Sequence, residues 1–297
     1  MLADEIKRTY KQGGIVTQLI IVNVAIFLVM LLLGIFSKFT FTNLLLPFEW
    51  LTGTANLSDL LAKPWAAFTY MFLHADFWHV LGNMIWLYFL GKIYYDLVGA
   101  RKFLSTYTLG GLSGFGLFVL IYNIFPYFSN VVDRSAIVGA SAAVMAIVMA
   151  AAIYAPRMEI NIFFFRIPLI WIALIKFLLD FAALQGESNL GGHIAHIGGA
   201  IYGYSYVSRL KRGQDIGEWF NILIDRFTGL FRKNKKLKVK YKKTPYSSTP
   251  PRDEYKYNEH KKAEQARIDE ILDKISAKGY DSLTKEEKEF LFKAGKK

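Results

Sequence analysis

The sequence predicts an all-α, polytopic membrane protein: six helices crossing a bilayer, followed by a small helical tail on the cytoplasmic side. Of its 297 residues, 53% are hydrophobic and 16% aromatic. These residues gather into long blocks, which is the signature of membrane spans and not of a soluble core. The charge is uneven too. Residues 1–208 hold 12 Lys/Arg against 10 Asp/Glu and residues 209–297 hold 24 against 14, so most of the net charge of +12 belongs to the tail. Cysteine is absent, which excludes a disulfide framework, a thiolate nucleophile and a cysteine-ligated metal.

Six apolar segments qualify as spans, at about 15–37, 76–95, 102–125, 136–155, 161–184 and 191–208, each near the roughly 20 residues a crossing needs. The first lacks a small-residue cleavage site and is long enough to span, so a cleavable signal peptide is not expected. The sixth is short and carries Gly191, Gly192, Gly198, Gly199 and Gly203; small residues of this kind let membrane helices approach closely. Basic residues flank the segments at Lys7, Arg8 and Lys11, at Lys92, Arg101 and Lys102, at Arg157 and Arg166, and at Arg209, Lys211 and Arg212. Six crossings put all of them on one side. The opposite connections carry only Lys38, Lys63 and Arg134, and the positive-inside rule makes the basic side, with both termini, cytoplasmic.

The chain accordingly divides into a cytoplasmic segment 1–14, a membrane domain 15–212, an amphipathic helix with a polybasic segment 213–243, a flexible linker 244–258 and a two-helix unit 259–297. Ile216, Trp219, Phe220, Leu223, Phe227, Leu230 and Phe231 recur at helical spacing and lead into Lys233, Lys235, Lys236, Lys238, Lys240, Lys242 and Lys243. That pattern predicts a helix in the membrane interface and a basic stretch on anionic lipid; a helix packed on the bundle is the alternative. Nucleic acid is not expected, because no reading motif accompanies the charge. Pro245, Pro250 and Pro251 mark the linker. Beyond it, Ile268, Ile271, Leu272 and Ile275 form one stripe ending at Gly279, and Thr284 with Glu287 fits a capping box ahead of Phe290 and Leu291. A unit this small buries little, which predicts a partner or a second copy. Oligomeric state is not legible.

Crossing parity locates the chemistry. The second, fourth and sixth segments run the same way, from outside to inside, so residues near their beginnings share one depth. Ser141, about five residues into the fourth, and His196, about five into the sixth, then lie roughly 8 Å below their helix starts. His79 and Asn83 begin the second segment, with His74 just above. Ionisable groups at membrane depth are costly and mark function. Each also has a structural reading: Ser141 as a small residue at a helix contact, His196 as a clamp on a carbonyl, and His79 with Asn83 as a polar pair one turn apart. Asp180 follows Lys176 by four residues, and the two are read as neutralising each other, with a third catalytic member as the lesser alternative. No metal is expected: HExxH is missing and the histidines lack a complete ligand set, although His193 and His196 could share a face.

Together the motifs resemble the rhomboid family of intramembrane serine proteases over about residues 10–212. They are Pro64-Trp65, Thr69-Tyr70-Met71-Phe72-Leu73-His74, the HxxxN of His79 and Asn83, the GxS of Gly139 and Ser141, and the HxxGxxxG of His196, Gly199 and Gly203. The resemblance implies a cofactor-free Ser-His dyad that cleaves transmembrane segments of membrane proteins. Ser141 would be the nucleophile and His196 the general base. The Ser141 backbone N–H, Asn83 and His79 would stabilise the oxyanion. His74 and His193 would line water access or be structural, and Gly139, Gly199 and Gly203 would allow close helix packing. It further implies the bacterial type with a basic helical extension, in the inner (plasma) membrane, its site opening outward. Ala142 and Met145 depart from the family's common residues, at positions that bear on how the imidazole is held. The alternatives are a catalytically silent rhomboid-like protein that binds transmembrane segments, and a proton-coupled transporter, which the absent inverted repeat disfavours.

Overall fold

Each of the six apolar segments contributes helix, though several boundaries differ from the hydropathy pattern. The computed structural model describes residues 13–42, 44, 46–162, 164–186, 188–231 and 252–294, with Glu5, Thr9 and Tyr10. The polybasic residues 233–243, linker residues 244–251 and most of the N-terminal segment 1–14 lie outside the described residues. The chain forms two compact units, Met1–Arg232 and Lys233–Lys297.

In the first unit, helix α1 is Gly14–Thr40. The second and third segments form one helix, α2, Phe77–Ile124, with a non-helical break at Gly99 (φ 79°, ψ 171°). Its 48 residues would measure about 72 Å if straight, more than twice the roughly 30 Å of a bilayer core, so the break divides it into an N arm and a C arm. Only glycine adopts that backbone region without strain. Asp76 caps the start, its side chain accepting the His79 N–H at 2.9 Å. Next come α3, Ser141–Tyr154, α4, Leu169–Ala182, α5, Leu190–Leu210, and α6, Glu218–Phe231. By length and composition α1 and α2 suffice to cross a membrane, and α3 is a shorter apolar helix.

Two expectations about helix starts are corrected. The fourth helix begins at Ser141 and not near 136: Ile137 is extended and exchanges backbone hydrogen bonds with Gly53, and Gly139 has φ 129°. Ser141 is therefore the first residue of its helix, not buried five residues into it. The fifth helix does not begin at 161. Strands β1, Glu159–Ile162, and β2, Phe165–Pro168, pair antiparallel, as their β-branched and aromatic composition favours, and α4 starts only after Pro168, whose ψ of 141° is extended.

Helix α3 is the axis of the unit. Its Ala142, Ala143, Val144, Met145, Ala146, Ile147 and Val148 are all buried, as expected of a helix apolar on every face. Small residues let its neighbours in. A Cβ on Gly110 would meet the Ala146 side chain, and one on Gly114 would lie 2.6 Å from Ala142 Cβ and 2.5 Å from the Ala195 carbonyl oxygen. The C arm thus runs antiparallel to α3. On α5, a Cβ at Gly199 would strike the carbonyl of Ala142 and one at Gly203 that of Ala146, so α5 runs parallel to α3. These directions are those that crossing parity requires. Helix α1 instead leaves Leu28, Leu31, Leu32, Ile35 and Phe36 exposed, an apolar surface suited to lipid.

In the second unit, α7, Arg252–Lys278, begins within the stretch read as linker, just after Pro250 and Pro251, and α8 is Lys285–Ala294. Ile271 and Leu283 form its small buried centre. The capping box is made: Thr284 N–H donates to Glu287 Oε2 at 2.7 Å, and Glu287 N–H to Thr284 Oγ1 at 3.3 Å.

Candidate active site

The segment before Ser141 is held on several sides. Gly139 N–H donates to Tyr70 O at 2.9 Å, Ala140 N–H to His74 Nε2 at 3.5 Å, and Ser135 Oγ accepts the Ala55 N–H at 2.9 Å. Tyr70 is itself anchored through its hydroxyl, which donates to Gly111 O at 2.7 Å. His74 is 2% exposed. Gly139 turns the chain into α3 with φ 129°, where a side chain would also lie 2.6 Å from His79 Nε2 and 3.4 Å from Ser141 Oγ. His79 and Ser141 therefore border one small space beside Gly139.

As the first residue of α3, Ser141 has a backbone N–H with no partner one turn earlier. The preceding Ala140 supplies no side-chain cap. Uncapped N–H groups at the positive end of a helix dipole suit a developing anion. Asn83 is buried, and its Nδ2 donates to His79 O at 3.0 Å, which leaves its second N–H to give.

His196 comes from α5. The contacts pairing Gly199 with Ala142 and Gly203 with Ala146 set a register, and one turn earlier that register puts His196 level with Gly139. Side chains lean toward the N-terminus of their helix, so Ser141 leans toward that level as well. Among the described residues the Ser141 hydroxyl has no hydrogen-bond partner; catalytic hydrogen bonds commonly close only when substrate is bound. His196 Nδ1 is engaged at 2.8 Å by Asp180 Oδ1, so Nε2 is the nitrogen left for the serine.

Asp180 is the residue that sequence reasoning underrated. The i, i+4 contact with Lys176 exists, Nζ to Oδ2 at 3.5 Å, but Oδ1 contacts both His196 and, at 3.0 Å, His193 Nδ1. The two imidazoles meet edge to face with centroids 5.7 Å apart. Asp180, His193 and His196 offer ligand atoms within 4.8 Å of one another, a spacing open to a metal ion. Met145, one turn after Ser141, is fully buried.

The comparisons with known proteins cover the same part of the chain. Residues 61–212, just over half of it, match the rhomboid domain, and residues 254–297 match a family of unknown function, DUF6576. The chain is 30% identical over 157 residues to RHOMBOID-like protein 12, mitochondrial, of Arabidopsis thaliana, covering 49% of this chain and 46% of that one. It is 28% identical over 164 residues to Rhomboid protein 1, mitochondrial, of Saccharomyces cerevisiae, covering 50% and 45%. The chain thus spans about half the length of these curated relatives.

Proposed function

The chain belongs to the rhomboid family and is an integral membrane protein, and on that premise we propose that it is an intramembrane serine endopeptidase. Ser141 Oγ attacks the scissile carbonyl of a substrate's transmembrane segment, and His196 Nε2 takes its proton and delivers it to the leaving amine. The oxyanion is held by the Ser141 N–H with Asn83 and His79; one such donor is worth about 3 kcal/mol. The observation that supports this reading is the parallel, backbone-close register of α5 on α3 at Gly199 and Gly203, which brings His196 level with Gly139, two residues before the uncapped Ser141. A silent binder of transmembrane segments needs neither that pairing nor an uncapped serine.

Six crossings, with both termini on the basic, cytoplasmic side and the site opening outward, complete the proposal. The bacterial inner membrane expected from the sequence motifs is kept as part of the proposal, although the relatives found by comparison are mitochondrial proteins. The exposed Trp219, Ile222, Leu223 and Phe227 of α6 support its place in the lipid interface. The test is labelling of the solubilised protein with a fluorophosphonate probe, alongside cleavage of a model transmembrane substrate. Wild type is labelled and cleaves; Ser141→Ala and His196→Ala do neither. Labelling that survives Ser141→Ala refutes the reading.

A further inference from the structure

Helix α4 carries two charged residues, Lys176 and Asp180, in an otherwise apolar sequence. Each is costly alone at membrane depth, and as i, i+4 neighbours they neutralise one another. Neutralisation requires one carboxylate oxygen, and Oδ2 fills that role 3.5 Å from Lys176 Nζ. Oδ1 is turned to the other side, where α5 presents His196 Nδ1 at 2.8 Å and His193 Nδ1 at 3.0 Å. Asp180 is 6% exposed, and among the described residues these three groups are the hydrogen-bonding partners of its buried carboxylate. A charge pair that served only to place α4 in lipid would leave Oδ1 without a reason to meet two imidazoles.

We propose that Asp180 is a positioning residue of the hydrolytic site, fixing His196 with its proton on Nδ1 and the Nε2 lone pair toward Ser141, while His193 steadies the carboxylate as a second donor. The inference rests on the protease reading above and adds to the Ser-His pair a buried acid from a separate helix. When Nε2 takes the Ser141 Oγ proton, the imidazole becomes a cation between Ser141 and an ionised carboxylate. The Nδ1 proton stays where it is, and the Nε2 proton passes to the leaving amine. Lys176 holds the far oxygen, so the carboxylate cannot turn away from α5. Asp180, His193 and His196 also have the spacing of a metal trio, but both ring nitrogens already share one carboxylate oxygen, and the ammonium of Lys176 opposes a second cation.

The experiment compares Asp180→Asn, Asp180→Glu and the double variant Lys176→Met/Asp180→Asn with wild type in the full-length solubilised protein. Asp180→Asn lowers kcat on the order of 10²- to 10⁴-fold with KM unchanged, slows fluorophosphonate labelling in parallel, and Asp180→Glu recovers part of the loss. In ¹⁵N-histidine spectra the His196 signal moves from the Nδ1–H tautomer in Asp180→Asn, a change that a merely structural role would not produce. The double variant removes the unpaired lysine that could unfold the single one, and it shows the same loss at a wild-type melting temperature. A folded double variant with the wild-type labelling rate and tautomer overturns the proposal. So does wild-type activity that is abolished by a chelator and restored by zinc, which would assign the trio to a metal. If wild type is not labelled, or labelling persists in Ser141→Ala, the protease reading fails instead. The tautomer measurement needs no turnover and decides the role of Asp180 in that event too.

Discussion

Gly199 illustrates how a single missing methyl sets the geometry of the site. A Cβ there would strike the carbonyl of Ala142, which is backbone and cannot rotate away, so α5 would have to move off α3. Gly199→Ala is expected to cost about 1–3 kcal/mol, the usual range for overpacking, and to lower kcat on the order of 10²-fold by carrying His196 away from Ser141. Gly116→Ala, on the C arm with nothing within 4 Å of the new Cβ, is the control and keeps wild-type turnover. Thermal denaturation in detergent with substrate cleavage measures both; a Gly199→Ala variant of normal kcat would refute the close-packing role. Ser141, His196, Gly139, Gly199 and Gly203 could be singled out from the sequence because each sits in a short motif. Asp180 was not, because its spacing from Lys176 accounts for it within one helix. Its contact with His196 depends on how α4 is rotated against α5, which crossing parity does not specify.

Among the elements, the break in α2 and the cap of α8 lend themselves to separate tests. Gly99 has φ 79° and open space around a would-be Cβ, so Gly99→Ala changes backbone strain without a clash. It is expected to lower stability by about 1–3 kcal/mol, read as a reduced melting temperature; an unchanged value would mean that the bend tolerates an ordinary residue. In the tail, Glu287 is held down to about 2 by its hydrogen bonds with Lys274 first and the Thr284 N–H second. A carboxylate depressed in the folded state contributes stability above its ordinary value near 4.5 and loses it as pH falls through about 2. Acid titration of the helicity of the 252–297 unit should therefore show a loss in that window that Glu287→Gln abolishes; identical acid curves for the two would refute it. Thr284 and Glu287 could be read directly, since a capping box is local. The start of α4 could not: the Ile and Phe residues of 160–167 are as apolar as a span, and hydropathy does not separate a β-hairpin from a helix turn. Pro168 was the available signal.

At the scale of the whole molecule, the distribution of charge over the chain is the governing feature. The part through residue 208 is nearly balanced and the rest carries most of the excess, so the long-range field of the protein comes from the tail. Seven lysines lie within residues 233–243, directly after α6, whose Trp219, Leu223 and Phe227 are exposed. Apolar insertion and basic attraction reinforce one another when they act at the same membrane face. A lysine near an anionic surface contributes about 1 kcal/mol, so replacing these seven with Gln in a 233–297 fragment is expected to weaken binding to phosphatidylserine vesicles by at least on the order of 100-fold. The wild-type fragment should lose the same binding as salt shortens the Debye length, and neither fragment should hold phosphatidylcholine vesicles. Equal sedimentation of the two fragments with anionic vesicles would show that the charge does not engage lipid. The partner of the tail would then have to be sought through the exposed Leu272 of α7.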